Sequence, residues 1–217
     1  MFGTDSVQRY WDKNASSFDA LYASDSRLGR AFNSVFRRAL FERIRMAADE
    51  IRKVSDATVL DVGCGSGRTT IPLAQAGAKQ VTGIDFAPQM IDLAREAAKT
   101  AGVDGRCSFV VGDFTTEDAG GPFDFVTALG VFDYVDEPVS FLRRMLELSK
   151  RGAMFSVPKP SLVRANLRKF RYGKHGVNVH FYTSAQIRDF CDRAGARNTK
   201  ITAIPSGYFV FCESPRG

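Results

Sequence analysis

The chain has 217 residues, of which 44% are hydrophobic and 25% charged, and its formal net charge is +6. This length suits one α/β domain with an elaboration, and two independent domains are not expected. The chain contains no apolar run near the roughly 18 residues that span a membrane, and its first residues lack the basic and apolar parts of a signal peptide. We therefore expect no membrane insertion and a cytoplasmic location.

The positive charge is concentrated in one region. Residues 151–200 contain eleven Lys and Arg against two Asp. A local basic segment fits an anionic small molecule as well as nucleic acid. The cysteines are scattered, without a C-x-x-C pair or a histidine at ligand spacing, so we expect neither a disulfide nor a metal site. They are Cys64, Cys107, Cys191 and Cys212.

The N-terminal part, residues 1–54, is predicted to be a helical arm. A short capped helix over residues 5–13 precedes a loop with aromatic residues, and apolar residues at helical spacing from about Arg27 to Lys53 predict a long amphipathic helix. The aromatic residues either fix the arm to the body or make it a lid over a ligand site. Both interpretations stay open.

Strand and helix patterns alternate through residues 55–157, the predicted core. Intervening helices of about ten to fifteen residues require right-handed crossovers, which favour a mostly parallel sheet covered on both faces. A final pair of apolar stretches, joined by Pro205-Ser206-Gly207, predicts an antiparallel hairpin. The fold class is therefore α/β, a Rossmann-like doubly wound sheet of seven strands. The predicted strands are 57–62, 80–85, 107–113, 123–129, 152–157, 198–204 and 208–213.

A basic, aromatic segment over residues 158–182 interrupts the alternation after the fifth strand, and a helix with a Thr183 cap and a Gly195 stop follows within residues 183–217. Arg164, Arg168 and Arg171 recur on one helical face. They form either a cationic wall beside a substrate or only a solvated helix face. All four segments are expected to belong to a single domain.

A glycine-rich loop follows the first predicted strand. Asp61 precedes Gly63-x-Gly65-x-Gly67, and the next helix pattern begins near Thr69. The dinucleotide fingerprint G-x-G-x-x-G and the Gly-Lys-Ser/Thr ending of the P-loop are both absent from this stretch. A loop of this shape with an acidic residue at its start suits a ligand with a cationic amino group and no phosphate.

Two further acidic positions complete a recognisable series. Asp85 ends the second predicted strand, and Gly112-Asp113-Phe114 follows the third. Together with the glycine loop, these residues resemble the motifs of class I S-adenosylmethionine-dependent methyltransferases over about residues 55–157. The resemblance implies methyl transfer with S-adenosylmethionine as cofactor, S-adenosylhomocysteine as product and no metal.

The resemblance also implies a role for each motif residue. The glycine loop with Cys64 would approach the methionine part, and Asp61 would favour its ammonium group directly or through a water. Asp85 would accept from the ribose hydroxyls, or would only cap the helix that begins near Pro88. Asp113 would accept from the adenine amino group. The remaining expected contacts are ring packing by Phe86 or Phe114, which core packing explains equally well, and backbone carbonyls from Leu129 and Gly130.

On the acceptor side, candidate catalytic residues are Asp133, Tyr134 and His180, and candidate substrate contacts are Tyr10, Tyr22, Arg164, Arg168 and Tyr182. A hydroxyl or protonated amine acceptor requires a base, whereas a carboxylate does not. We expect a small-molecule acceptor, and the basic segment favours an anionic one. The layout is also similar to that of magnesium-protoporphyrin O-methyltransferases. The expected assembly is a monomer or a homodimer.

Two alternatives stay open. A methyltransferase acting on RNA or protein would use the basic region, but the chain lacks an Asn/Asp-Pro-Pro-Tyr-like motif after the fourth strand, so a nucleic-acid partner is not expected. A non-catalytic protein that binds the cofactor is the second alternative.

Overall fold

The computed structural model describes residues 40–160, 179–205 and 207–216. Seven strands in this part of the chain form one sheet. The strands are β1 Thr58–Val62, β2 Gln80–Asp85, β3 Cys107–Val111, β4 Phe123–Leu129, β5 Ser149–Pro158, β6 Thr199–Ile204 and β7 Gly207–Glu213. The helices are α1 (residues 40–51), α2 Thr70–Gln75, α3 Pro88–Thr100, α4 Pro138–Glu147 and α5 Ser184–Ala194.

The strand order is β3-β2-β1-β4-β5-β7-β6. The first five strands pair in parallel, and β7 lies antiparallel between β5 and β6. The predicted doubly wound α/β sheet with a C-terminal antiparallel hairpin is therefore confirmed. The order reverses between β1 and β4, so the loops after these two strands diverge and leave a crevice at the carboxyl edge of the sheet, where open α/β sheets bind ligands.

Each face of the sheet has its own apolar core because successive side chains of a strand point in opposite directions. In β1, Val59 packs with α1 and α2, whereas Leu60 packs with α4 and α5. Phe125 and Val126 of β4 divide in the same way. Burial of both faces explains why the central strands show nearly continuous apolar runs.

Two strand boundaries differ from the sequence prediction by more than one residue. β5 begins at Ser149 instead of residue 152, because Ser149 pairs with Phe123 across an irregular register that the exposed Lys150 and Arg151 conceal in the sequence pattern. β3 ends at Val111 instead of residue 113, because the Gly112 N–H donates to the Asp85 carbonyl and turns the chain. The predicted ends of α5 are confirmed: Thr183 and Gln186 form a capping box, and Gly195 closes the helix in the left-handed conformation.

The predicted N-terminal arm up to residue 39 and most of the basic segment, residues 161–178, lie outside the described residues. The same holds for the candidate substrate contacts Tyr10, Tyr22, Arg164 and Arg168, which stay predictions. Within the described ranges, every helix is too short or too polar to cross a bilayer.

Candidate active site at the β1 and β4 crevice

The glycine loop and the loop after β4 meet at the crevice. All three loop glycines, Gly63, Gly65 and Gly67, have positive φ angles, at 65°, 52° and 82°. A Cβ on Gly63 would stand 2.5 Å from Cγ2 of Val131, which follows β4. Only glycine therefore allows this approach, and the glycine loop packs directly against the side chain of Val131 in the loop after β4.

Asp85 fastens the glycine loop to the end of β2. Its Oδ2 accepts from the Gly65 N–H at 2.9 Å, and its Oδ1 accepts from the Ala87 N–H at 3.0 Å. The N-cap residue of α3 is Ala87, so Asp85 supports the start of that helix from two residues earlier. Each carboxylate oxygen can accept more than one hydrogen bond, and the predicted role of the half-buried Asp85 toward a ribose diol stays a prediction.

Asp61 is a buried brace beneath the loop. It is 1% exposed, and its two oxygens accept from the hydroxyls of Thr70 at 2.7 Å and Thr127 at 2.9 Å. The brace links β1 to α2 and β4. The pKa of Asp61 is raised to about 6. Burial is the largest cause and the charge of Asp85 adds to it, whereas the hydrogen bonds from the two threonines lower the pKa. The predicted role of Asp61 toward an ammonium group stays a prediction, and its burial favours a water-mediated or long-range interaction over direct contact.

Two acidic side chains, Asp61 and Asp85, lie within electrostatic range of the Cys64 thiol at the floor of the crevice. Cys64 lies buried at the loop, and burial together with the charges of Asp61 and Asp85 holds the pKa of its thiol well above the usual range. An anion such as a pyrophosphate would be repelled by this arrangement, whereas a cation would be stabilised.

Asp113 lies in the turn after β3. Its Oδ1 accepts from the Thr115 N–H and hydroxyl, both at 2.8 Å. Among the described residues, no group donates to its Oδ2. Phe114 is buried and packs edge-on against Phe141 with ring centroids 5.0 Å apart, so core packing accounts for it. Phe86 is partly buried beside Met90 and is the more accessible of the two candidate ring contacts.

An arginine that the sequence prediction missed lies at the end of β4. Nη1 of Arg43, from α1, donates to the Ser156 hydroxyl of β5 at 3.0 Å and would stand 3.4 Å from a Cβ on Gly130. Gly130 has a φ angle of 92°, and Leu129 before it is 9% exposed. The available signal in the sequence was a single arginine on the apolar face of a helix, four residues before the buried Ala47.

The acceptor-side candidates in the described residues come together. The His180 N–H donates to the Asp133 carbonyl at 2.8 Å, and its Nε2 lies 2.8 Å from Oδ1 of Asp136, which the prediction did not include. Asp133 is 3% exposed, and Tyr134 follows it in a short 3₁₀ helix.

Tyr182 closes this group by donating its hydroxyl to the Val135 carbonyl at 3.4 Å. Burial, with the charges of Asp133 and Asp136, raises its pKa to about 12, so the phenol stays neutral and serves as a donor. The loop after β4 and the segment before α5 therefore form one wall of the crevice.

A family model described as "Methyltransferase domain" matches residues 53–194. The chain belongs to the class I S-adenosylmethionine-dependent methyltransferases. The match spans β1 to the end of α5 and so includes the glycine loop, all three acidic positions and the wall formed by residues 180–182. The predictions of the family, the enzyme class and the cofactor are confirmed.

Relatives of this methyltransferase differ in how much they share with it. A magnesium-protoporphyrin O-methyltransferase from Rhodobacter capsulatus is 32% identical over 164 residues, which cover 73% of this chain and 71% of the relative. A ubiquinone biosynthesis O-methyltransferase from Xanthomonas axonopodis pv. citri is 41% identical over 98 residues, covering 44% of this chain and 40% of the relative. The shorter match leaves more than half of the second relative outside the comparison.

A solved structure supports the fold. The magnesium protoporphyrin IX methyltransferase from Synechocystis PCC 6803, crystallised with bound S-adenosylhomocysteine, superposes with a TM-score of 0.73 over 95% of this chain and 96% of its own. The identity is 22%. At this identity, the structural similarity supports only a shared fold.

Replacing Asp61 by Asn removes the titrating group while it keeps an oxygen that accepts from a threonine hydroxyl. The pKa of Asp61, about 6, lies above its ordinary value of 3.8, so the folded state binds more protons between these values. The parent therefore loses stability as the pH rises through this window. We expect the parent to lose about 1 kcal/mol more unfolding free energy than the variant between about pH 5 and pH 7.5, measured by urea denaturation. Identical pH dependence of the two proteins would contradict the buried, protonatable brace.

Proposed function

We propose that this methyltransferase transfers a methyl group from S-adenosylmethionine to a hydroxyl oxygen of a small molecule, with the cofactor bound across the crevice between β1 and β4. The observation that carries the proposal is the set of acidic side chains around one glycine loop. Asp61 and Asp85 lie at the floor of the crevice, and Asp113 presents a carboxylate oxygen from the neighbouring loop. Such a site suits a sulfonium and ammonium ligand without phosphate.

The two ends of the cofactor are assigned by the donors and acceptors at each end of the crevice. The methionine end is assigned to the glycine loop, and the carbonyls of Leu129 and Gly130 are assigned to the ammonium group. Arg43 lies beside Gly130, and its guanidinium is assigned to the carboxylate of the cofactor's methionine part. At the adenosine end, Asp85 accepts from the ribose hydroxyls and Asp113 from the adenine amino group.

We assign to His180 the role of the base that takes the proton of the acceptor's hydroxyl group. The cofactor supplies an electrophilic methyl group on sulfur; as the oxygen–methyl bond forms and the sulfur–methyl bond breaks, the hydroxyl proton must go to a base. The carboxylate of Asp136 orients the imidazole, and the Asp133 carbonyl fixes the backbone of His180. This arrangement of a base held by a third group is the usual structure of an activated proton acceptor.

The assignment to oxygen and to a small molecule agrees with two of the relatives, since the Rhodobacter capsulatus and Xanthomonas axonopodis proteins both carry the name O-methyltransferase. An anionic group on the acceptor, suggested by Arg164 and Arg168, stays a prediction because both residues lie outside the described ranges. A carboxylate acceptor is the competing possibility for the acceptor atom, because it would need no base.

Cofactor binding is tested by replacing Asp85 with Ala. The variant loses the acceptor for the ribose hydroxyls and the bond to Gly65, so we expect the dissociation constant for S-adenosylhomocysteine to rise at least about a hundredfold in calorimetry. Asp92→Ala, at an exposed acid of α3, serves as the matched control and should bind like the parent. Failure of the parent to bind, or undiminished binding by Asp85→Ala, would refute the cofactor site.

The acceptor atom is tested with methyl-labelled S-adenosylmethionine and a small-molecule extract of the source cells. We expect a label that survives mild base, as an ether does. His180→Gln should lower the rate of transfer by about 10²–10⁴-fold, because the variant has no imidazole to take the hydroxyl proton.

The matched pair for this experiment is Asp136→Asn, which should lower the rate, and Asp189→Asn at an exposed position of α5, which should not. A base-labile label together with full activity of His180→Gln would show a carboxylate acceptor instead. Label in the RNA or protein fraction would favour a macromolecular acceptor.

A further inference from the structure

The chain reverses direction in a tight turn after β3, over residues 112–117. The Thr116 and Glu117 N–H groups both donate to the Asp113 carbonyl, at 3.0 and 2.8 Å. A Cβ on Gly112 would stand 2.7 Å from Cγ of Glu117, so the return of the chain is close. The turn therefore begins at Asp113, whose carbonyl accepts both of these backbone bonds.

Arg144 of α4 also stabilises the turn. Its Nε donates to the Phe114 carbonyl and its Nη2 to the Glu117 carbonyl, each at 2.6 Å. The guanidinium also lies 5.4 Å from the centroid of the Phe114 ring, within the range of a cation–π interaction. Charge-assisted bonds of this length are stronger than neutral ones, and the planar fork fixes the two carbonyls relative to each other.

The two carbonyls enclose the residue that orients Asp113. Thr115 lies between Phe114 and Glu117, and its N–H and hydroxyl both donate to Oδ1 of Asp113. Arg144 thus sets the position of Thr115, and Thr115 leaves Oδ2 of Asp113 to a ligand. A shift of the turn by a fraction of an ångström would move this oxygen away from a bound base.

We propose that Arg144 is a positioning residue: it holds the Asp113 carboxylate so that the site selects a purine with an exocyclic amino group over one with a keto oxygen at the same position. The inference rests on the proposed function, since Asp113 is the residue assigned there to the adenine amino group. Arg144 itself contacts two backbone carbonyls and the Phe114 ring, and it acts on the ligand through Asp113.

The neighbouring Arg143 provides a matched control. It lies on the same helix, and its Nη2 also donates to a backbone carbonyl, that of Arg193, at 2.9 Å. Arg193 belongs to α5 and is far from the turn in sequence. Arg143 is exposed, whereas Arg144 is half-buried. The same change at the two positions therefore separates the loss of a charge on α4 from the loss of the turn.

The test is calorimetry of the full chain with two probes, S-adenosylhomocysteine and S-inosylhomocysteine, in which a keto oxygen replaces the amino group. The parent should prefer S-adenosylhomocysteine by about tenfold to a hundredfold, because the keto oxygen faces a carboxylate and donates nothing. In Arg144→Met this ratio should fall to about one to threefold, mainly through weaker binding of S-adenosylhomocysteine. Arg143→Met should keep the parent ratio.

Arg144→Lys keeps the charge and the alkyl stem but can reach only one carbonyl, so its ratio should be intermediate. This variant also keeps the test decisive if Arg144→Met folds poorly. A parent ratio retained in both Arg144 variants, or equal weakening of both ligands, would overturn the positioning role alone. A parent that binds neither ligand would overturn the proposed function and this inference together.

Discussion

The carboxylate of Asp85 is the contact on which the site depends. One of its oxygens accepts from Gly65 in the glycine loop and the other from Ala87 at the start of α3. The Asp85 carbonyl also accepts from Gly112, where the third strand turns. Three loops at the carboxyl edge of the sheet are therefore fixed to one residue. If Asp85 also binds the ribose, as proposed, one residue sets the position of the ligand together with the positions of the loops.

A second constraint is electrostatic. Asp61, Cys64 and Asp85 lie close enough that the charges of the two carboxylates disfavour ionisation of their neighbours. A folded protein tolerates such a cluster at a cost in stability, which two threonine hydroxyls reduce for Asp61. A sulfonium or ammonium group in the crevice would lower this cost further. The negative charges of the cluster would therefore favour binding of a cationic ligand over a neutral or anionic one.

The sequence predicted the sheet, the glycine loop and the three acidic positions because each depends on local information. Periodicity marks strands and helices, and glycine spacing marks a tight turn. Three residues were missed because their partners lie far along the chain. Arg43 is 113 positions from Ser156, Asp136 is 44 from His180 and Arg144 is 30 from Phe114. No periodic pattern records such pairs. The choice between Phe86 and Phe114 was likewise open until the packing of Phe114 against Phe141 was known.

The most direct measurement is a crystal structure of the protein with bound S-adenosylhomocysteine. It should show the ribose hydroxyls on the Asp85 carboxylate, the adenine amino group on Oδ2 of Asp113 and the methionine carboxylate beside Arg43, all without rearrangement of the glycine loop. A ligand bound elsewhere, or in the crevice with its adenine away from Asp113 and its ribose away from Asp85, would contradict the proposed site.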